Sequence, residues 1–158
     1  RGLEADVRVE PGLADRVAAL MRESALSALS MARKAGALVT GFNKVEGALR
    51  NDPVAALLHA RDAGADGVQK LDAIARRRSE SNGTPLPIIR IFESGELDLA
   101  LGRTNVIHAA LLAGPAGNNA LIRFRAIADF LGGDTSAGEA LSSERTARGM
   151  SVGMQGNS

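Results

Sequence analysis

The stretch ARKAGALVTGFNKVEGALR, residues 32–50, holds a helix end, a short apolar run and a second helix start. Gly36 is a stop for the helical pattern before it. Residues 37–40, ALVT, are apolar and too short for a helix, so they read as a strand. Thr40 and Gly41 then offer an N-cap to FNKVEGALR, in which Phe42, Val45 and Leu49 form one apolar stripe. The stretch is therefore helix, strand, helix. Arg33, Lys34, Lys44 and Arg50 surround it with positive charge.

Working outward, the same alternation continues in both directions. Upstream, PGLADRVAALMRESALSALSMARKAG places Leu13, Val17, Leu20 and Met21, then Leu26, Leu29 and Ala32, at helical spacing. It leaves open one helix or two, with RESALS as the joint. Downstream, VAALLHA follows the breaker NDP as a buried strand. GADGVQKLDAIARRR is amphipathic through Val68, Leu71 and Ile74, and SNGTP marks a turn. LPIIRIF reads as a strand, SGELDLALG as a short helix and NVIHAALLA as a further strand. NNALIRFRAIADFLGG closes the pattern, with Leu121, Phe124, Ile127, Ala128 and Leu131 on one face. Strands alternating with helices predict an α/β sandwich: one sheet with helices on both faces. No internal repeat of fixed period interrupts it.

Composition narrows the function classes. A chain of 158 residues with 45% hydrophobic content supports one ordinary globular domain. Charges interrupt every apolar run, so no membrane span is expected. The absence of cysteine excludes disulfides and thiolate metal sites; with no signal segment visible, a cytoplasmic location is the expectation. His59 and His108 lie in separate apolar segments without ligand spacing, so each is expected to be a partly buried strand residue rather than a metal ligand. After Gly133 the composition turns to Ser, Gly, Thr and Arg, and a flexible tail is expected over 134–158.

An enzyme is not expected. The chain lacks GxxxxGK[ST], GxSxG and HExxH, and has no cysteine nucleophile. Glu96 and Asp98 sit on a short polar segment, where solvated or capping roles predominate. AGPAGNNA, residues 113–120, joins a strand to a helix without the lysine and hydroxyl of a phosphate loop, and reads as a Gly-Pro turn. No cofactor is expected. Net charge is +1, from 19 basic and 18 acidic residues, so charge distribution carries more information than the sum. The triplet Arg76, Arg77 and Arg78 reads by itself as a solvated helix end. With only Phe42, Phe92, Phe124 and Phe130 as aromatics, a base-stacking platform for single strands is hard to build. Around Asn43 and Lys44 two readings stand: a capped helix with solvated cations, which spacing alone favours, or a helix end that offers N–H groups, an amide and an ammonium to RNA.

The order of these motifs adds to that reading. LSMARKAGALVTGFNKVEGAL resembles the kink-turn-binding ribosomal protein family of the L-seven-Ae and L-thirty-e type. In that family an ARKAG-like helix end, a short strand and a G-x-N-x-V helix start follow one another. Gly41, Asn43 and Val45 stand at the last of these. The resemblance runs on through VAALLHARDAGADGVQKL and LPIIRIFESGELDLALGRTNVIHAAL, covering about residues 25–132. It implies a three-layer α/β/α sandwich with one central mixed sheet. It also implies RNA contacts from Gly41, Asn43 and Lys44 and from the loop before the last strand: Gly102, Arg103, Thr104, Asn105 and Val106. Arg33, Lys34 and Arg50 join the candidate set by their charge. Strong kink-turn readers of the family carry Glu directly after the Asn and Lys a turn later, where this chain has Lys44 and Gly47.

The start of the chain is similar to the junction in bacterial YlxR-type proteins that carry such a domain. That similarity implies a tail of a preceding module or a linker helix over 1–20, an RNA-binding domain over 21–133 and the tail beyond. The expectation is a non-catalytic protein for structured RNA in bacterial translation, RNA processing or transcription termination, with protein partners in such complexes. The alternative is a protein-interaction domain on the same fold.

Overall fold

A computed structural model describes residues 11–132 of the chain; the tail expected over 134–158 lies outside the described residues. Helix α1 spans Pro11–Lys34 without a break, across both the RESALS segment and position 20. Nothing between Leu13 and Lys34 is Gly or Pro, and the segment is rich in Ala and Leu, so helix propensity carries through the serines. Gly36, at φ 75°, ends it, and the Ala37 N–H reaches back to the Ala32 carbonyl at 2.8 Å.

The remaining elements are β1 (Leu38–Thr40), α2 (Phe42–Asn51), β2 (Val54–His59), α3 (Ala65–Asn82), β3 (Ile88–Ile89), α4 (Ser94–Leu101), β4 (His108–Leu112) and α5 (Pro115–Leu131). The strands form one mixed sheet in the order β1-β4-β2-β3. β4 runs antiparallel to both of its neighbours, and β2 pairs with β3 in parallel. LPIIRIF contributes only Ile88 and Ile89 to the sheet, because Pro85 and Pro87 have no N–H to donate and β3 is an edge strand. Arg90 then leaves the ladder and donates to the carbonyls of Ala60, Arg61 and Ala63 at 3.1–3.3 Å.

Alternation along the strands divides the core into two layers. Ala56, Leu58, Ala109 and Leu111 pack with Ala25, Leu29 and Ala32 of α1 and Ala120, Phe124 and Ile127 of α5; Leu97 and Leu101 of α4 close that cluster. Leu57 and Ala110 point the other way, onto Val45, Ala48 and Leu49 of α2 and Leu71, Ile74 and Ala75 of α3. The result is the three-layer α/β/α sandwich with helices on both faces. Alanines at the contact positions of β2, β4 and α1 let helices approach the sheet closely. A buried leucine such as Leu29 or Leu57 carries about 2–5 kcal/mol against truncation to alanine.

Candidate nucleic-acid interface

Gly41 turns the chain from β1 into α2 at φ 95°, a conformation L side chains rarely adopt. It is itself the N-cap, and Thr40 stays in the strand. No side chain caps α2, and its ladder opens with the Val45 N–H on the Gly41 carbonyl at 2.9 Å. The first-turn N–H groups therefore face outward beside Asn43 and Lys44, both exposed. The positive end of the helix dipole and the ammonium favour the same ligand, an anion.

The loop from α4 to β4 is built by one carboxylate. Asp98 Oδ2 accepts the Asn105 N–H at 3.0 Å and Oδ1 accepts the Val106 N–H at 2.7 Å. The Asp98 carbonyl accepts the Gly102 and Arg103 N–H groups. Gly102 and Asn105 both sit at positive φ, 63° and 62°, so the loop folds tightly around Asp98. Gly102, Arg103, Thr104 and Asn105 are left exposed. Val106 is different: it is 3% exposed and belongs to the core, so its side chain anchors the loop and offers no surface to a ligand. That corrects its place in the contact set.

The two segments meet. The Gly41 N–H donates to the His108 carbonyl at 3.1 Å, and Thr40 stands opposite Ala109 in the β1–β4 ladder. The start of α2 and the loop feeding β4 thus emerge from the same end of the sheet. Arg33 and Lys34 do not share that end. They are exposed at the end of α1, and the chain then enters β1 beside the end of β4, where the Leu112 N–H bonds the Ala37 carbonyl. From Ala37 to Gly41 is the length of β1, about 13 Å of extended chain. The expectation that Arg33 and Lys34 extend the Asn43 patch is corrected by this separation. Arg50 lies in the last turn of α2, exposed and paired with Glu46 at 3.1 Å.

Beneath the α2 start runs a buried polar chain. His59 and His108 are register partners on β2 and β4, 2% and 8% exposed, with Nδ1 facing Nδ1 at 2.9 Å. His59 Nε2 lies 2.7 Å from Asp72 Oδ1 on α3. Hydrogen-bond logic fixes the tautomers of the neutral pair. The Asp72 carboxylate only accepts, so His59 carries its proton on Nε2, its Nδ1 accepts, and His108 donates from Nδ1. His108 Nε2 is then unprotonated and faces Gly67, where a Cβ would stand 2.8 Å from it. The His108 ring also meets the edge of Phe42, the first residue of α2, at 6.0 Å between centroids. Burial holds His108 below the ordinary histidine range, the neighbouring His59 adds to that, Asp72 opposes it and Arg90 adds a little. The sequence reading expected two separate, partly buried histidines; the structure pairs and buries them. Only strand pairing brings them together, and the sequence carries no local sign of it.

The other side of the loop is held by ions. Arg22 of α1 grips Glu96 of α4 through Nε at 3.1 Å and Nη2 at 2.6 Å, with its guanidinium 5.2 Å from the Phe92 ring centroid. Burial pushes the Glu96 carboxyl up. The Arg22 and Glu93 N–H donors outweigh that and hold it below the usual range. Asp62 accepts the N–H and hydroxyl of Ser94 at the start of α4, and those bonds lower its pKa. Glu96 and Asp98 therefore serve as a capping ion-pair partner and a loop clasp. Among the described residues there is no group of three or more His, Asp or Glu side chains that could hold a metal ion, and no helix long and apolar enough to cross a membrane.

No family model matches the chain, and no curated protein matches it. Among solved structures it is similar to a protein of unknown function from Bacillus halodurans C. That similarity has 22% identity and a TM-score of 0.53, covering 64% of this chain and 96% of the other. It is also similar to the Giardia lamblia 15.5kD RNA binding protein at 18% identity and TM-score 0.48, over 65% of this chain and 85% of that one. The first likeness shows that the α/β/α fold is shared with a solved structure.

Proposed function

We propose that this chain is a non-catalytic RNA-binding protein that reads structured RNA with the start of α2 and the α4–β4 loop. One observation carries the reading. The Gly41–His108 bond joins, at one end of the sheet, an uncapped helix start bearing Asn43 and Lys44 and an exposed loop bearing Arg103, Thr104 and Asn105. These are the two segments that the resemblance to the kink-turn-binding family assigns to RNA. The chemistry suits a preformed shape: outward N–H groups and cations for phosphates, and the Asn43 and Asn105 amides for base edges or 2′-hydroxyls. Lys44, in place of an acidic residue, shifts the site toward phosphate. A role in bacterial translation, RNA processing or transcription termination, in the cytoplasm, belongs to this proposal, as in the YlxR-type proteins the chain resembles.

The test is equilibrium binding of kink-turn and simple hairpin RNAs by the wild type and by Asn43→Ala/Lys44→Ala. Both side chains are exposed, so the double variant keeps its fold. The expected result is weaker binding, by roughly tenfold or more, and a log K against log salt slope reduced by about 1 for the lost lysine contact. Normal binding by the double variant, or affinity indifferent to salt, would overturn the site.

A further inference from the structure

At the opposite end of α2 lies a groove of about 660 Å³ between the last turns of α2 and α3. Three arginines line it: Arg50 from α2, and Arg77 and Arg78 from α3. The helix α3 runs on to Asn82, four residues past the triplet, so these arginines sit on the helix body and not on a frayed end. Arg78 is half-buried and donates to the carbonyls of Leu49 at 2.6 Å and Ala48 at 3.4 Å. It so answers the negative end of the α2 dipole, and its hydrogen bonds go to neutral oxygens alone, with no carboxylate paired to it among the described residues. Arg77 is exposed and, among the described residues, has no ion-pair or hydrogen-bond partner. Asp52 is the one acidic side chain on the groove wall; Arg50 is paired with Glu46 one turn back, which leaves Arg77 and Arg78 as the guanidinium groups without a carboxylate partner.

We infer that this groove is a second phosphate-binding site, which holds the backbone of the same RNA whose bent part is read at the α2 start. The inference rests on the RNA-binding reading above and goes beyond it, to a place six to eight residues from Asn43 along α2 and across to α3. Three observations carry it. Asn43 and Arg50 are seven residues apart on one helix, hence on the same face and about 10 Å apart along the axis. A strand engaged at Asn43 that follows α2 arrives at the groove. The donors suit phosphate: guanidinium forks on Arg50, Arg77 and Arg78, with the polar side chains of Asn51, Ser81 and Asn82 beside them. Of the apolar residues on the wall, Leu49 and Ile74 are 1% and 7% exposed and Pro53 alone is exposed, so the groove lacks the large exposed apolar anchors by which a peptide would be held. A concave wall also concentrates the field of Arg77 and Arg78, so near-neutrality of the whole chain does not cancel it locally.

The experiment compares Arg77→Ala and Arg77→Glu with the wild type and with Asn43→Ala/Lys44→Ala. It uses a kink-turn RNA carrying long flanking helices, a truncated RNA with the bend alone, and a poly-glutamate peptide as the acidic-protein control, each over a range of salt. Arg77 makes no bond in the fold, so both variants fold normally, checked by circular dichroism. The expected result is a several-fold loss for Arg77→Ala and a larger one for Arg77→Glu on the long RNA, with the salt slope reduced by about 1, and no change on the truncated RNA. If the Arg77 variants bind the long RNA normally while the Asn43/Lys44 variant is impaired, the groove inference is overturned and the RNA-binding reading stands. If neither site matters to RNA, both are overturned. Loss of peptide binding alone in the Arg77 variants overturns the inference in favour of a protein partner.

Discussion

Asp98 is the side chain on which the proposed loop depends, and Asp98→Ala is its sharpest perturbation. The carboxylate holds two backbone N–H groups, of Val106 at 2.7 Å in a half-buried setting and of Asn105 at 3.0 Å at the surface. A hydrogen bond to a charged group contributes about 1.5–3 kcal/mol net, and the exposed one less because water replaces it. Taking about 1.5–2 kcal/mol for Val106 and about 0.5–1 for Asn105, the variant loses about 2–3 kcal/mol of stability. The loop's other bonds, to the Asp98 carbonyl, survive the substitution. The Asn105 conformation at φ 62° loses its restraint, since a left-handed non-glycine residue persists only where its surroundings over-determine it. Urea denaturation gives the stability change, and amide hydrogen exchange at Asn105 and Val106 reports the loop. The account requires a lower midpoint and faster exchange at those two amides, together with weaker RNA binding. A change below about 0.5 kcal/mol with unchanged exchange would refute the claim that Asp98 clasps the loop.

The buried histidines give a pH dependence. His108 titrates lower in the fold than in the unfolded chain, so the unfolded state binds more protons near neutral pH. The stability that follows is complete above the unfolded histidine value of about 6.5 and is lost as pH falls through the folded one. Asp62 and Glu96, also lowered, stay charged until about pH 5 and below, so a fall in the urea midpoint between pH 7.5 and 5.5 belongs to the histidine. An NMR titration showing His108 at or above 6.5 would contradict this. Gly67→Ala is expected to destabilise by about 1–3 kcal/mol, since its Cβ would press on His108 Nε2 at 2.8 Å. Thermal unfolding checks it, and a neutral result would mean that the ring has room to move.

The helices and three of the strands were legible because their apolar spacing is local. Leu71 and Ile74, or Phe124 and Ile127, announce a buried face without knowledge of any partner. The last helix starts at Pro115, earlier than NNALIRF suggested, because proline is at home in a first helical turn. LPIIRIF misleads in the other direction: its apolar content is core packing by Ile91 and Phe92 beyond a two-residue strand. Of the site, Gly41, Asn43 and Lys44 were readable as a helix start, while the clasp by Asp98 needed the loop geometry. The His59–His108–Asp72 chain was out of reach of periodicity, because it depends on β2 and β4 being neighbours in register. The same holds for Arg78, whose capping of α2 joins residues about thirty positions apart.

The most direct test of the central claim is ultraviolet crosslinking of the protein to RNA in cells, with the crosslinked peptides identified by mass spectrometry and the bound RNA sequenced. The account predicts crosslinks on the peptides that contain residues 41–44 and 102–105, on RNAs with defined secondary structure. Crosslinks confined to other surfaces, or no RNA recovered with the protein, would contradict it.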